Sequence, residues 1–348
     1  MFTLCKFAIF WSIMIYSPTM EKEIEEIKAI IDECKKETEK RIVGQSQLIT
    51  DILTAFVAGG HVLLEGVPGL AKTLTVKTIA EILGLDFKRI QFTPDLLPAD
   101  VTGTLIYEQK TGSFTVRKGP VFANVILADE INRAPAKVQS AMLEAMEEKQ
   151  VTIGEETFTL PKPFFVLATQ NPVEQEGTYN LPEAELDRFL LKLIINYPSN
   201  EDEKEIIKTC GNAPSVKVKK VLSLQDIEKM QAAAAKIVCD DKLVEYIVSI
   251  LNVTRRSASL HQNAAMASAN DITRYISFGA SPRAGIAIIQ CAKIHALFEG
   301  RSFVLPEDIK AVTHNVLRHR LVLSYEAAAD NISADEIISR ILEIIPLP

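Results

Sequence analysis

The sequence has little of what builds metal centres or disulfide frameworks. Its 348 residues include five cysteines and five histidines. The cysteines, Cys5, Cys34, Cys210, Cys239 and Cys291, are scattered, and none forms a C-x-x-C pair. Neither a zinc site nor a set of disulfides is suggested, and the thiols read as small core residues. His314 and His319 fall near one another, but no thiol or carboxylate joins them at ligand spacing. A surplus of basic charge is also missing. The formal net charge of -7 argues against non-specific nucleic-acid binding, which draws on excess Lys and Arg, although a local basic groove stays open. Repeats and low-complexity tracts are absent.

What is present is the balance of a globular protein, 47% hydrophobic and 24% charged, in a chain long enough for two domains. The first 19 residues are set apart, being apolar except for Lys6 before an abrupt switch to the charged run after Met20. Three readings stay open there: a start at Met20, a membrane anchor slightly shorter than the ~20 residues a span needs, or a cleaved signal with a poor cleavage site. A cytoplasmic location is expected, with membrane contact only if residues 1–19 are an anchor.

Residues 21–40 carry Ile24, Ile27, Ile31 and Cys34 on one helical stripe, and a second helix runs to about Ala58. An α/β alternation follows. Strands are expected at His61–Glu65, Phe87–Phe92, within Val121–Asp129, and at Phe164–Thr169, with helices over 72–83 and 137–149. This pattern predicts a largely parallel sheet covered by helices on both faces. Two hairpins interrupt it, Thr104–Val116 around Lys110–Ser113, and Gln150–Leu160 around Gly154. From Asn200 the chain reads as helical, with helices over 201–209, 224–236, 241–254, 283–299 and 306–314 and a Ser/Ala/Asn-rich loop over 256–270. The expected division is an apolar extension (1–19), an α/β domain (20–198) and a helical lid (199–348).

The chemistry concentrates in three phrases. Gly66-Val67-Pro68-Gly69-Leu70-Ala71-Lys72-Thr73 follows an apolar strand and opens a helix, the context of a phosphate-binding loop. There, backbone N–H groups and the helix N-terminus face a polyphosphate, Lys72 reaches the β/γ oxygens, and the Thr73 hydroxyl holds Mg²⁺; Leu74 follows directly. Ala71 replaces a glycine, and right-handed helical angles are expected for it. Val125-Ile126-Leu127-Ala128-Asp129-Glu130 is an apolar strand ending in two acids. Asp129 is expected to bind Mg²⁺, directly or through water, and Glu130 to polarise the water attacking the γ-phosphate. Leu167-Ala168-Thr169-Gln170-Asn171-Pro172 ends a buried strand in amides. Asn171 could orient the attacking water, or be simply a turn residue before proline.

With these phrases, FTPDLLPADVTG, ADEINRAP, LPEAELDRF and GASPRA give the chain a pattern that resembles the AAA+ ATPases and, within them, the MoxR family, from about residue 24 onward. The resemblance implies a P-loop AAA+ core with a helical lid, hydrolysing ATP with Mg²⁺. It implies that Asn171 is the first sensor, that Arg188 is an arginine finger entering a neighbouring subunit, and that Arg283 is the second sensor on the lid. Val43-Gly44-Gln45 matches the segment around adenine. Arg133 is family-like, with an interface role the nearest guess. The two hairpins match inserts that tend to face a ring's central opening and act on a client. The resemblance further implies a homo-oligomer, a hexameric ring, a von Willebrand factor A-domain partner, and a chaperone-like action on protein clients. Other readings are the ATPase subunit of a magnesium-chelatase-like complex, a nucleic-acid-dependent motor, and a nucleotide-gated scaffold with negligible turnover.

Overall fold

The computed structural model describes residues 18–67, 69–172, 178–179, 181–210, 216–255 and 272–348. Most of the apolar start, Pro68 and the expected loop over 256–270 lie outside the described residues. The chain divides into two compact units, Cys34–Ser223 and Leu224–Pro348, the latter taking in the described residues ahead of Cys34. The first division falls within helix α1 (Pro18–Glu39), whose stripe of Ile24, Ile27, Ile31 and Cys34 is buried as its spacing predicts.

The unit Cys34–Ser223 continues with α2 (Ser46–Val57), β1 (Val62–Glu65), α3 (Lys72–Leu83), β2 (Phe87–Gln91) and the short α4 (Pro98–Thr102). The first hairpin, β3 (Gly103–Glu108) and β4 (Ser113–Lys118), precedes β5 (Val125–Asp129) and α5 (Ala136–Glu148). The second, β6 (Gln150–Ile153) and β7 (Glu156–Thr159), leads into β8 (Phe165–Gln170), α6 (Glu183–Leu186), β9 (Leu191–Ile194) and α7 (Asn200–Cys210).

Five of these strands form one parallel sheet in the order β2-β5-β8-β1-β9. Its inner strands read as continuous apolar runs because both faces are covered. Successive side chains alternate between the faces. Leu63, Ile126, Ala128, Val166 and Ala168 join Val138, Met142 and Met146 of α5 in one core. On the other face Phe165 meets Phe56 of α2 edge-on, with ring centroids 5.2 Å apart. The strand β9 has no counterpart in the sequence reading. It has only four residues, and its alternation of buried Leu191 and Leu193 with Lys192 is too brief to stand out.

His61, just ahead of β1, ties the start of the sheet together. The Val166 N–H donates to its Nδ1 at 3.1 Å, so the other ring nitrogen, Nε2, carries the proton and donates to the Met146 carbonyl at 3.2 Å. Burial pushes its pKa down to about 4, so the ring is neutral near pH 7.

The other unit holds α8 (Leu224–Lys236), α9 (Asp241–Arg255), β10 (Ile276–Phe278), α10 (Pro282–Phe298), α11 (Pro306–Leu317), β11 (Val322–Leu323), α12 (Tyr325–Ala329) and α13 (Ala334–Ile344). The helices α10 and α11 pack along each other around buried Ile288, Cys291, Leu297 and Ile309. Asp308 is fully buried at the start of α11. It accepts from both terminal nitrogens of Arg301 at 2.5 and 2.7 Å, contacts His295 Nδ1 at 2.7 Å, and accepts the Leu305 N–H at 2.7 Å. Burial alone would raise its pKa, but these hydrogen bonds outweigh burial and hold the carboxyl well below the usual carboxylate range. Among the described residues, no helix is long and apolar enough to cross a membrane.

Candidate functional site

Strand register brings the chemistry to one edge. Gln91 pairs with Asp129 between β2 and β5, Ala128 with Ala168 between β5 and β8, and Glu65 with Gln170 between β1 and β8. In parallel strands these pairs align the carboxyl ends, where open α/β sheets bind ligands. The turn after β1 and the acids ending β5 therefore share that edge, separated by β8.

The turn after β1 runs into the first turn of α3, and Lys72 opens that helix. The Lys72 ammonium folds back, donating to the Gly66 carbonyl and, at 3.5 Å, to the Gln170 carbonyl. Burial lowers its pKa, while Asp129, Glu130 and Glu65 pull it up. An ammonium held by carbonyls alone, near carboxylates but not bonded to them, is a ready donor to an anion. Gly69 has φ +89, which a side chain would strain.

Ala71 corrects the sequence reading, which expects right-handed angles. Its φ is 55° and ψ 21°, in the left-handed region. The bend from the loop into α3 imposes it, since the Ala71 carbonyl must already accept from the Thr75 N–H at 2.9 Å while the chain turns. A Cβ there costs roughly 1–2 kcal/mol, which explains why the general pattern has glycine at this position.

Asp129 and Glu130 sit in a network that fixes each carboxylate. The Thr169 hydroxyl donates to Asp129 Oδ1 at 2.6 Å and accepts the Glu130 N–H at 2.8 Å. Arg89 donates to Asp129 Oδ2 from Nε at 3.0 Å and Nη2 at 2.6 Å. Gln91 donates from Nε2 to Glu130 Oε2 at 2.8 Å, and Arg133 Nε lies 3.3 Å from the same oxygen. Glu130 itself has φ 57°, a left-handed conformation that its surroundings enforce. Strain of this kind is stored where a side chain must be aimed. Asn171, next along from β8, is buried.

Beside the loop lies an open cavity of about 340 Å³, lined by Ile42, Val43, Gln45, Leu70, Ala71 and Leu74 and flanked by Tyr197, Ile206 and Ile207. Its walls are mainly apolar, the surroundings a flat aromatic ring needs. Gln45 Oε1 is buried there with no hydrogen-bond partner among the described residues. Such an orphaned acceptor fits a ligand with an N–H donor on its ring, as the exocyclic amine of adenine supplies. Gly44 has φ +75, and a Cβ there would come within 2.5 Å of the Asp202 carboxyl. Only glycine lets this turn pass so close to α7.

The sequence-predicted residues Val43, Gly44, Gln45, Gly66, Val67, Gly69, Leu70, Ala71, Lys72, Thr73, Leu74, Asp129, Glu130 and Asn171 all lie in the unit Cys34–Ser223, whereas Pro68 falls outside the described residues. Arg188 lies at the opposite end of the sheet. The N–H groups of Leu190 and Leu191 bond to the His61 carbonyl, level with the start of β1, and Arg188 pairs with Glu147 at 3.1 Å. A strand of four residues spans ~13 Å, so Arg188 is held well away from the phosphate loop of its own chain. Arg283 is exposed in the first turn of α10, in the other unit.

Comparison with known proteins agrees with this arrangement. Residues 61–191 match the model of the ATPase family associated with various cellular activities (AAA), and residues 268–341 match the AAA lid domain. The chain is 49% identical to Chaperone MoxR1 of Mycobacterium tuberculosis, over 95% of this chain and 82% of that one. This chain belongs to the MoxR family of AAA+ ATPases. It is also 30% identical to Protein MoxR of Methylorubrum extorquens, covering 90% of this chain and 94% of that one. A solved structure from Cytophaga hutchinsonii superposes with a TM-score of 0.85 at 48% identity, covering 95% and 98% of the two chains. The first matched segment of this MoxR-family chain runs from His61 into β9, so it spans the phosphate loop, the acid pair and Arg188; Arg283 falls in the lid match.

Three polar residues of the MoxR-family site went unread in the sequence. Arg89 and Gln91 stand two apart near the end of β2, a spacing that puts both on one face of a strand and could have flagged them. Thr169 was seen only as part of a buried run. The cavity wall from Tyr197, Ile206 and Ile207 carries no sequence signal of its own, because it forms only when α7 folds beside the loop.

Proposed function

We propose that this protein binds Mg-ATP at the carboxyl edge of its sheet and hydrolyses it, and that it works as a ring-forming, chaperone-like ATPase on protein clients. One observation carries the reading: a lysine-bearing loop and a strained glutamate share a sheet edge beside an apolar cavity with one orphaned acceptor. Adenine would occupy the cavity with its amine toward Gln45 Oε1. Lys72 and the N–H groups opening α3 would receive the phosphates. Thr73 and Asp129 would hold the Mg²⁺, which offsets charge on the phosphate oxygens. Glu130 would accept a proton from the attacking water, with Asn171 orienting that water.

The distance of Arg188 from its own loop supports a role in trans. Head-to-tail subunits close into a ring, and such a ring would carry Arg188 to the next subunit's γ-phosphate. Arg283 would reach the same phosphate from the lid. The first hairpin exposes Tyr107 and Phe114 at 54% and 67%, apolar surface suited to gripping a client. A hexamer, a von Willebrand factor A-domain partner and a cytoplasmic location belong to the same proposal.

The test is Glu130→Gln, which keeps size and most hydrogen bonding but cannot take a proton. The variant should retain bound ATP while phosphate release falls at least about a hundredfold. Turnover at the parental rate would remove Glu130 as the base.

A further inference from the structure

Glu130 runs directly into a short 3₁₀ turn, Ile131–Arg133, and one buried side chain holds that turn. Gln139, in the opening turn of α5, is only 1% exposed. Its Nε2 donates to the Ile131 and Ala134 carbonyls, each at 3.1 Å, and to the Tyr179 carbonyl at 3.0 Å. These carbonyls settle which end of the amide faces them, since Oε1 in that place would meet only acceptors. Burying an amide is costly unless its donors are met. Here they are met by the backbone of two segments far apart in the chain.

The first segment aims Glu130. Its backbone is left-handed, its N–H is fixed by the Thr169 hydroxyl, and its carbonyl accepts the Arg133 N–H at 2.9 Å. Gln139 secures the far side of the same turn, so the strained residue is constrained from before and after. The second segment leads to Arg188. The Tyr179 N–H donates to the Asn132 carbonyl at 2.7 Å, beside the Gln139 contact, and Leu181 is buried further along. The chain then forms α6, and the Arg188 N–H bonds to the Glu185 carbonyl at 3.2 Å. Two more residues of α5 meet this stretch: Ser140 Oγ donates to Glu185 Oε1 at 3.4 Å, and Glu147 pairs with Arg188 at 3.1 Å. Gln139 and Glu147 lie about 12 Å apart along the helix, at ~1.5 Å per residue. One helix thus runs from the turn after Glu130 to Arg188, and at its start a single nitrogen bonds both segments.

We propose that Gln139 is a positioning residue that ties the aim of Glu130 in a subunit's own site to the placement of the Arg188 which that subunit lends to its neighbour. This rests on the reading given above, in which Glu130 is the base and Arg188 acts in trans. Buried as it is, Gln139 works through the two backbones and not on the nucleotide. A shift of either segment draws on the donor that the other shares. A subunit's hydrolytic geometry and its contribution to the next site are therefore set together.

The experiment dopes variant subunits into parental rings and follows turnover. Gln139→Met keeps length and volume but removes both donors. Alone it should bind ATP within about twofold of the parent, because the phosphate loop is untouched, and turn over at least about thirtyfold more slowly, as unpaired buried carbonyls let both segments shift. Unchanged turnover, or ATP affinity that falls as far as turnover does, would overturn the proposal. In randomly mixed rings an active site then needs a parental owner and a parental neighbour. With equal amounts of variant and parent, about a quarter of the parental turnover should remain for Gln139→Met, against about half for Arg188→Ala, which spoils only the neighbour's site. Half remaining for Gln139→Met would confine its effect to one of the two segments and overturn the coupling. Full turnover of Arg188→Ala alone would refute the finger itself, and the coupling with it, whatever Gln139→Met does. Gln139→Asn keeps the amide but is one methylene too short to meet both segments, and it should give the same quarter if Gln139→Met does not fold. Failure of both variants to fold would make Gln139 a packing residue and overturn the proposal.

Discussion

His61 makes the stability of the unit Cys34–Ser223 sensitive to mild acid. The neutral ring is wired on both sides, to the Val166 N–H and the Met146 carbonyl, and its own carbonyl anchors the start of β9. Its pKa falls from 6.5 to about 4, mainly through burial, with nearby Lys149 acting in the same direction and the Met146 bond opposing. An unfolded chain takes up a proton as pH falls through 6.5, whereas the folded one resists until about 4. The contribution is therefore complete above pH 6.5 and drains away between 6.5 and 4. Each pH step of one across that window removes about 1.4 kcal/mol, so roughly 2 kcal/mol is gone by pH 5. For a protein domain of this size that is roughly 4–8 °C in unfolding temperature. His61→Asn keeps an acceptor for the Val166 N–H but cannot titrate in this range. It should be less stable at pH 7, because the Met146 carbonyl loses its donor, and should lose less between pH 7 and pH 5. The assay is thermal unfolding of both proteins at the two pH values without nucleotide. The same fall in both would mean that His61 is not the group responsible.

Arg188→Ala should bind ATP yet lose roughly 10³-fold or more in turnover, as finger arginines do. Mixing it with Lys72→Ala should restore part of the activity, because an intact loop and an intact finger can then meet at one interface; no rescue in rings shown to be mixed would contradict action in trans. Ala71→Gly relieves left-handed strain of ~1–2 kcal/mol and adds unfolded-state freedom of ~0.4–1 kcal/mol. Nucleotide-free protein should thus gain up to about 1.5 kcal/mol in a thermal melt, and a loss of that size would show that the turn is held by something other than sterics.

Much of the α/β unit was legible because its signals are local. An apolar run followed by a glycine-rich turn and a lysine at a helix start needs no long-range information, and neither does an apolar strand ending in Asp129 and Glu130. The parallel sheet followed from strand–helix alternation, and both hairpins from their turns. The parts that went unread depend on contacts distant in sequence. β9 is a strand only because it pairs with β1, and Val62↔Leu191 joins residues far apart in the chain. The left-handed Ala71 is dictated by the entry into α3, not by alanine, whose preference is the opposite. Arg89 went unread, since Asp129 becomes its neighbour only through the pairing of β2 with β5. In the other unit α13 did carry a signal. Ser333 caps it by accepting the Glu336 N–H, and Ile337, Ile338, Ile341 and Leu342 form a buried stripe.

The central claim is that the loop at Lys72 receives the phosphates of a nucleotide, and calorimetric titration with Mg-ATP tests it most directly. The parental chain should bind ATP, and Lys72→Ala should bind it at least about tenfold more weakly, since the ammonium now held by the Gly66 carbonyl is the charge that would meet the β/γ oxygens. Equal affinity in the two proteins would take Lys72 out of the site and contradict the account.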